Sequence, residues 1–177
     1  MKKKNLDLEA RFWSGSKMYS ALGLMETFFQ FNDLAAAKET LSTMMQHAVK
    51  KNSRIGEEPS AVFHFYLSMR SLIRAGYLIR KQSKQGKLNL HSEIRSPLMQ
   101  GSLREEEYRD PLRVFQKAFK AHSLQEFDGF MAGIVYFSLG SGSCETESSI
   151  VSPYLHLTKM LDAAWLLLER SSAEKAT

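Results

Sequence analysis

The sequence predicts an all-α fold: a single domain over 1–177, built as an irregular bundle of about six helices, with a long surface connection between the third and the fourth. Three observations carry that expectation. Apolar residues recur at helical spacing along most of the chain, and the alternation of a half-buried strand is nearly absent. Only four prolines occur, and long stretches lack glycine, so little interrupts a helix. The chain is 44% apolar and 24% charged over 177 residues, an ordinary globular composition. A chain of that size buries roughly 70% of its unfolded surface without disulfides or metals.

The first helix is expected over 8–31, where Asn32-Asp33 breaks the pattern and offers a cap to a second helix over 34–51. After a polar loop, Pro59 suits the first turn of a third helix reaching 81, with Glu57 and Glu58 near its positive end. Periodicity then fails over 82–109, where Gly86, Pro97, Gly101 and several serines mark a long connection. Asp110-Pro111 reads as the cap and first position of a fourth helix ending near 121. Ser123-Leu-Gln-Glu126 has the spacing of a capping box and opens a fifth helix to 139. The loop over 140–149 is polar, and Ser152-Pro153 is expected to cap a last helix ending near 170. The ends, 1–6 and 171–177, are expected to be flexible.

Two helices are apolar on more than one side, the pattern of a central element or an oligomer interface. In the fifth, Leu124, Phe127, Met131, Ile134 and Val135 share one face, yet Gly129, Ala132, Gly133 and Tyr136 lie opposite. In the sixth, Leu157, Met160, Leu161, Ala164, Trp165 and Leu168 share a face, while Leu155 and Leu166 point elsewhere. Both are expected at the centre of the bundle.

Charge is unevenly spread. Between Ser60 and Arg95, seven cations face one anion, Glu93, whereas the whole chain is only +5. At about 100° per residue, the third helix places Val62, Phe65, Tyr66, Met69, Leu72 and Ile73 on a core face. Arg70, Arg74, Tyr77 and Lys81 form one flank with Phe63, and Lys84 and Lys87 extend it. Arginine in such a row grips carboxylates or phosphates in two-point geometry, and tyrosine offers a stacking surface. Two rival readings need no outside partner. The stripe can be a solvated flank covering core edges, or it can face 121–177, where three cations meet seven anions.

Catalytic and metal motifs are missing. Of His47, His64, His91, His122 and His156, only His122 has a Glu or His three or four residues away, and its partner Glu126 belongs to the capping box of the next helix, so no metal pair forms along one helix, and one cysteine is too few for a zinc site. No cofactor and no metal is expected. Gly140-Ser-Gly142-Ser-Cys144 follows a helix and lacks the Lys-Ser or Lys-Thr of a phosphate loop. Cys144 beside Glu145 and Glu147 makes a poor thiolate. Glu105, Glu106 and Glu107 read as a solvating run at the start of a helix rather than acid–base groups.

These observations lead to an expected non-enzymatic, cytoplasmic interaction or regulatory module. Its contact surface is Arg70, Arg74, Tyr77, Lys81, Lys84 and Lys87, and its partner is an acidic protein surface or a second copy of the chain. The lone cysteine allows no internal disulfide, which suits a reducing compartment, and no window is apolar enough to span a bilayer. One alternative is a nucleic-acid-binding accessory protein using the same stripe, although +5 is modest for that role. Another is an enzyme whose pocket unites distant groups such as His64, His91 and Glu105.

Overall fold

A computed structural model describes residues 10–15, 20–83, 101–140, 142 and 147–175. These residues form eight α-helices and no strand: α1 (Ala10–Ser14), α2 (Ala21–Phe31), α3 (Leu34–Val49), α4 (Pro59–Ser83), α5 (Glu105–Arg109), α6 (Leu112–Ala121), α7 (Leu124–Leu139) and α8 (Glu147–Lys175). The all-α class therefore holds, with more helices than about six. Among the described residues no helix is long and apolar enough to cross a membrane.

Local capping chemistry sets most boundaries. The Asp33 carboxylate accepts from the Ala35 and Ala36 N–H groups and starts α3. Ser123 Oγ accepts from Glu126 N at 3.2 Å, and the Glu126 carboxylate accepts from Ser123 N at 2.6 Å, completing the capping box of α7. The hydrogen bond from Ser123 N, with the Ser123 hydroxyl beside the carboxylate, lowers the Glu126 pKa. Asp110 accepts from Leu112 N, so α6 begins one residue after Pro111.

Three expectations about elements fail for identifiable reasons. The first helix is not continuous: Gly15 takes φ +70°, which ends α1, and Ser20 caps α2 by accepting from Gly23 N. Part of the long connection is ordered, since 101–109 contains a turn and α5; residues 84–100 lie outside the described residues. Pro153 does not open the last helix but lies inside it. It forfeits one backbone hydrogen bond to residue 149, a loss the helix absorbs near its N-terminus. The same helix runs past 170 to Lys175.

The core is continuous. Helix α4 touches α1, α2, α6, α7 and α8, while α8 also packs on α2, α3, α5 and α6. Phe28, Phe115 and Phe127 are fully buried among Leu24, Leu41, Met69, Leu72 and Met131, each large side chain contributing roughly 1.5–3 kcal/mol by leaving water. Gly76 lets α6 approach α4: a Cβ there would lie 2.6 Å from the Phe115 ring. Trp13 ties α1 to α4 by donating from Nε1 to Ser71 Oγ at 2.9 Å. Helix α8 is buried all round at its middle, where Leu161, Ala163, Ala164, Leu166 and Leu167 are all enclosed. Helix α7 is not central: its second face is open, with Tyr136 73% exposed.

Candidate functional sites

The cationic stripe stands on α4 and meets α7. Arg70 Nε reaches Asp128 Oδ1 at 3.4 Å and Arg74 Nη2 reaches Asp128 Oδ2 at 2.9 Å. Asp128 belongs to the acidic C-terminal part of the chain, so two arginines of the stripe pair within the molecule. The Arg70 guanidinium also lies 5.4 Å from the Tyr66 ring. Tyr77 is half-buried edge-on against Phe119, and the Lys81 ammonium sits 4.5 Å above its ring. Lys84 and Lys87 lie outside the described residues, as do His91 and Cys144.

Beside the stripe runs an open apolar groove between α4 and α7. It encloses about 500 Å³ and is lined by Tyr66, Ala132, Val135, Tyr136, Leu139 and Gly140. Phe63, 52% exposed, stacks obliquely on Tyr66 at 5.7 Å. A Cβ built at Gly129 or Gly133 would meet nothing within 4 Å, so this stretch of α7 presents bare backbone outward. Arg54 Nε donates to the carbonyl of Leu139, one of the lining residues, at 3.0 Å.

A second site lies between α6 and α8, and its key group is one the sequence reading set aside. Glu107 is not part of a solvating run; it is buried. Lys117 Nζ donates to Oε1 at 2.9 Å, Lys159 Nζ to Oε2 at 2.5 Å, and Arg104 N to Oε2 at 3.1 Å. Burial alone would raise its pKa. The hydrogen bond from Lys159, then those from Arg104 N and Lys117, outweigh burial and lower it to about 2. Glu107 is thus a fixed anion that positions two lysines. They border a cavity of about 510 Å³, completed by Arg104, Ser152 and His156 on the polar side and Val114, Val151 and Leu155 on the apolar side. His122 and His156, unrelated in sequence, come within 5.5 Å. Burial, His122 and Lys159 all lower the His156 pKa, so its ring is neutral at pH 7. His122 Nε2 lies 2.7 Å from Ser152 Oγ.

Lys159 is one of three buried or half-buried polar residues by which α8 holds the 101–110 segment. Asp162 accepts from Ser102 N at 2.7 Å, from Ser102 Oγ at 2.6 Å and from Lys38 Nζ at 2.8 Å. Gly101 adopts φ +52°, and a Cβ there would lie 2.6 Å from the Asp162 carboxylate. Arg170, buried without a carboxylate partner among the described residues, donates to the Arg109 carbonyl at 3.0 Å and the Tyr108 carbonyl at 2.5 Å. It caps the C-terminus of α5 from another helix.

Of the distant groups an enzymatic pocket would need to unite, His64 and Glu105 stand apart, and His91 lies outside the described residues. His64 packs against Trp13 and Phe31 and its Nε2 bonds the Trp13 carbonyl, whereas Glu105 pairs with Arg109 on exposed α5. Among the described residues no cluster of His, Cys, Asp and Glu has the makings of a metal site. Comparison with known proteins finds no matching family model, no similar curated protein and no similar solved structure.

Proposed function

We propose that this protein is a non-enzymatic interaction module that docks an acidic partner helix in the seam between α4 and α7. The observation that carries the reading is the open second face of α7 beside the cationic flank of α4. Tyr136 and Phe63 are exposed aromatic side chains next to a groove, and such residues are the usual anchors of protein interfaces. The bare backbone at Gly129 and Gly133 admits the side-chain ridge of an approaching helix.

The charge of the seam favours an acidic occupant. Arg70 and Arg74 both pair with Asp128 beside the seam, and Lys81 and Arg54 are two further cations on its flank. Glu57 and Glu58 follow Arg54 in the loop before α4 and offset its charge, so the cationic end of the seam is the one toward Lys81. Rim cations of this kind set the approach and orientation of a partner more than its affinity. A cytoplasmic setting fits the single cysteine.

The test uses Tyr136→Asp, Phe63→Asp and Lys81→Glu, three exposed positions that leave the Asp128 pairs intact. Mass in solution and capture of partners are compared with the wild-type chain after circular dichroism confirms the fold. Support requires a captured protein, or a second copy, with an acidic contact surface, lost in the aspartate variants and weakened by salt. If all three variants keep the wild-type partners and mass, the seam is not the docking surface.

A further inference from the structure

We propose that the cavity between α6 and α8 binds a small organic anion, a carboxylate head carrying a short aliphatic body. The site is separate from the α4–α7 seam, and its case stands on unused hydrogen-bonding capacity. An ammonium group carries three donors. Lys159 spends one on Glu107, and its Nζ has no other acceptor among the described residues although its side chain is only 25% exposed. The Arg104 backbone serves Glu107, while its guanidinium has no acceptor among the described residues. His156 likewise lines the cavity without a hydrogen-bond partner among them. Lys159 and His156 are half-buried and Arg104 is exposed, and all three face one cavity with donor capacity that nothing else in the described residues uses, an arrangement matched by the oxygens of one anion.

The opposite wall fixes the rest of the ligand. Val151 and Leu155, 47% and 54% exposed, are large apolar side chains on the outer turns of α8, and Val114 of α6 lies behind them. A bare inorganic anion would leave that wall in contact with water. An aliphatic chain covers it and removes that apolar surface from water. Glu107 does not repel the ligand, because the two lysines and the Arg104 N–H already neutralise it.

The experiment titrates the full chain with octanoate up to about 5 mM, within the range of weak specific binding, following backbone amide shifts by NMR. Inorganic phosphate serves as a head-only probe and octanol as a tail-only probe. Saturable octanoate binding with shifts centred on 151–159 is expected, and it should exceed binding of either partial probe. Arg104→Gln removes an exposed side chain that supports nothing else, and should weaken octanoate roughly tenfold. Leu155→Asp places a carboxylate at the mouth and should abolish binding. Absence of saturable binding overturns the proposal, as does octanoate binding that both variants retain. Octanol binding as tight as octanoate removes the anion requirement, and phosphate binding as tight removes the apolar one; either result also overturns it.

Discussion

Replacement of Glu107 by glutamine tests the buried polar centre most directly. Glu107 is 2% exposed and takes hydrogen bonds from Lys117, Lys159 and the Arg104 N–H. Its pKa falls from 4.5 to about 2 on folding. At about 1.36 kcal/mol per unit of pKa, such a carboxyl contributes roughly 3 kcal/mol at neutral pH. That is a large fraction of the 5–15 kcal/mol typical of a whole domain. The sign follows from the direction of the shift. The contribution is complete above 4.5, the unfolded value, and is lost as pH falls toward about 2, where the folded carboxyl takes up a proton. The Glu107→Gln variant should therefore be about 3 kcal/mol less stable than wild type at pH 7, because two lysines lose the anion that holds them. The gap should shrink steadily between about pH 4.5 and pH 2. Urea unfolding of both proteins across that range gives the difference directly, and subtraction removes the titration of every other carboxylate. A gap under about 1 kcal/mol at neutral pH, or one that stays constant as pH falls, would refute the assignment of Glu107 as a stabilising buried anion.

Three further outcomes are expected. Gly101→Ala should cost at least about 1 kcal/mol, since alanine both strains φ +52° and crowds Asp162; in a double-mutant cycle with Asp162→Asn the two losses should fall short of additivity, and simple additivity would show that the contact is not shared. Arg170→Met should leave the Tyr108 and Arg109 carbonyls without their donor, at about 1–3 kcal/mol, and speed amide exchange in α5 before the rest of the fold; unchanged protection there counts against Arg170 as its cap. Gly76→Ala should overpack the contact with Phe115 by about 1–3 kcal/mol, and Phe115→Leu in the same chain should recover part of the loss; a stability equal to wild type in the single variant contradicts the close approach of α4 and α6.

What was legible in the sequence had partners close along the chain. Asp33, Ser123 with Glu126, and Pro59 act within a turn of their own position, so their spacing alone located the starts of α3, α7 and α4. The break at Gly15 carried a weaker sign, a single glycine with no capping partner or proline beside it to mark the end of α1. The cationic stripe was legible as a row on α4, but not its pairing, because Asp128 lies 58 and 54 residues from Arg70 and Arg74. Glu107 had no signal separating it from Glu105 and Glu106: its lysines stand 10 and 52 residues away.

A sign of buried pairing was nevertheless present in α8. Asp162 and Arg170 lie three and eleven positions after Lys159, and at about 100° per residue the three fall on one side of the helix. Charges on a helix that is otherwise apolar around its circumference have no solvated face to occupy, so each requires a partner brought by the fold. Those partners are Glu107, Ser102 with Lys38, and the end of α5, and all but Lys38 lie within 101–110. The polar residues of α8 thus account for the order of a segment that periodicity left unassigned. They also explain why the candidate anion cavity sits where it does: the fastening of that segment brings Arg104 and Glu107 against α8 and leaves Lys159 with donors to spare.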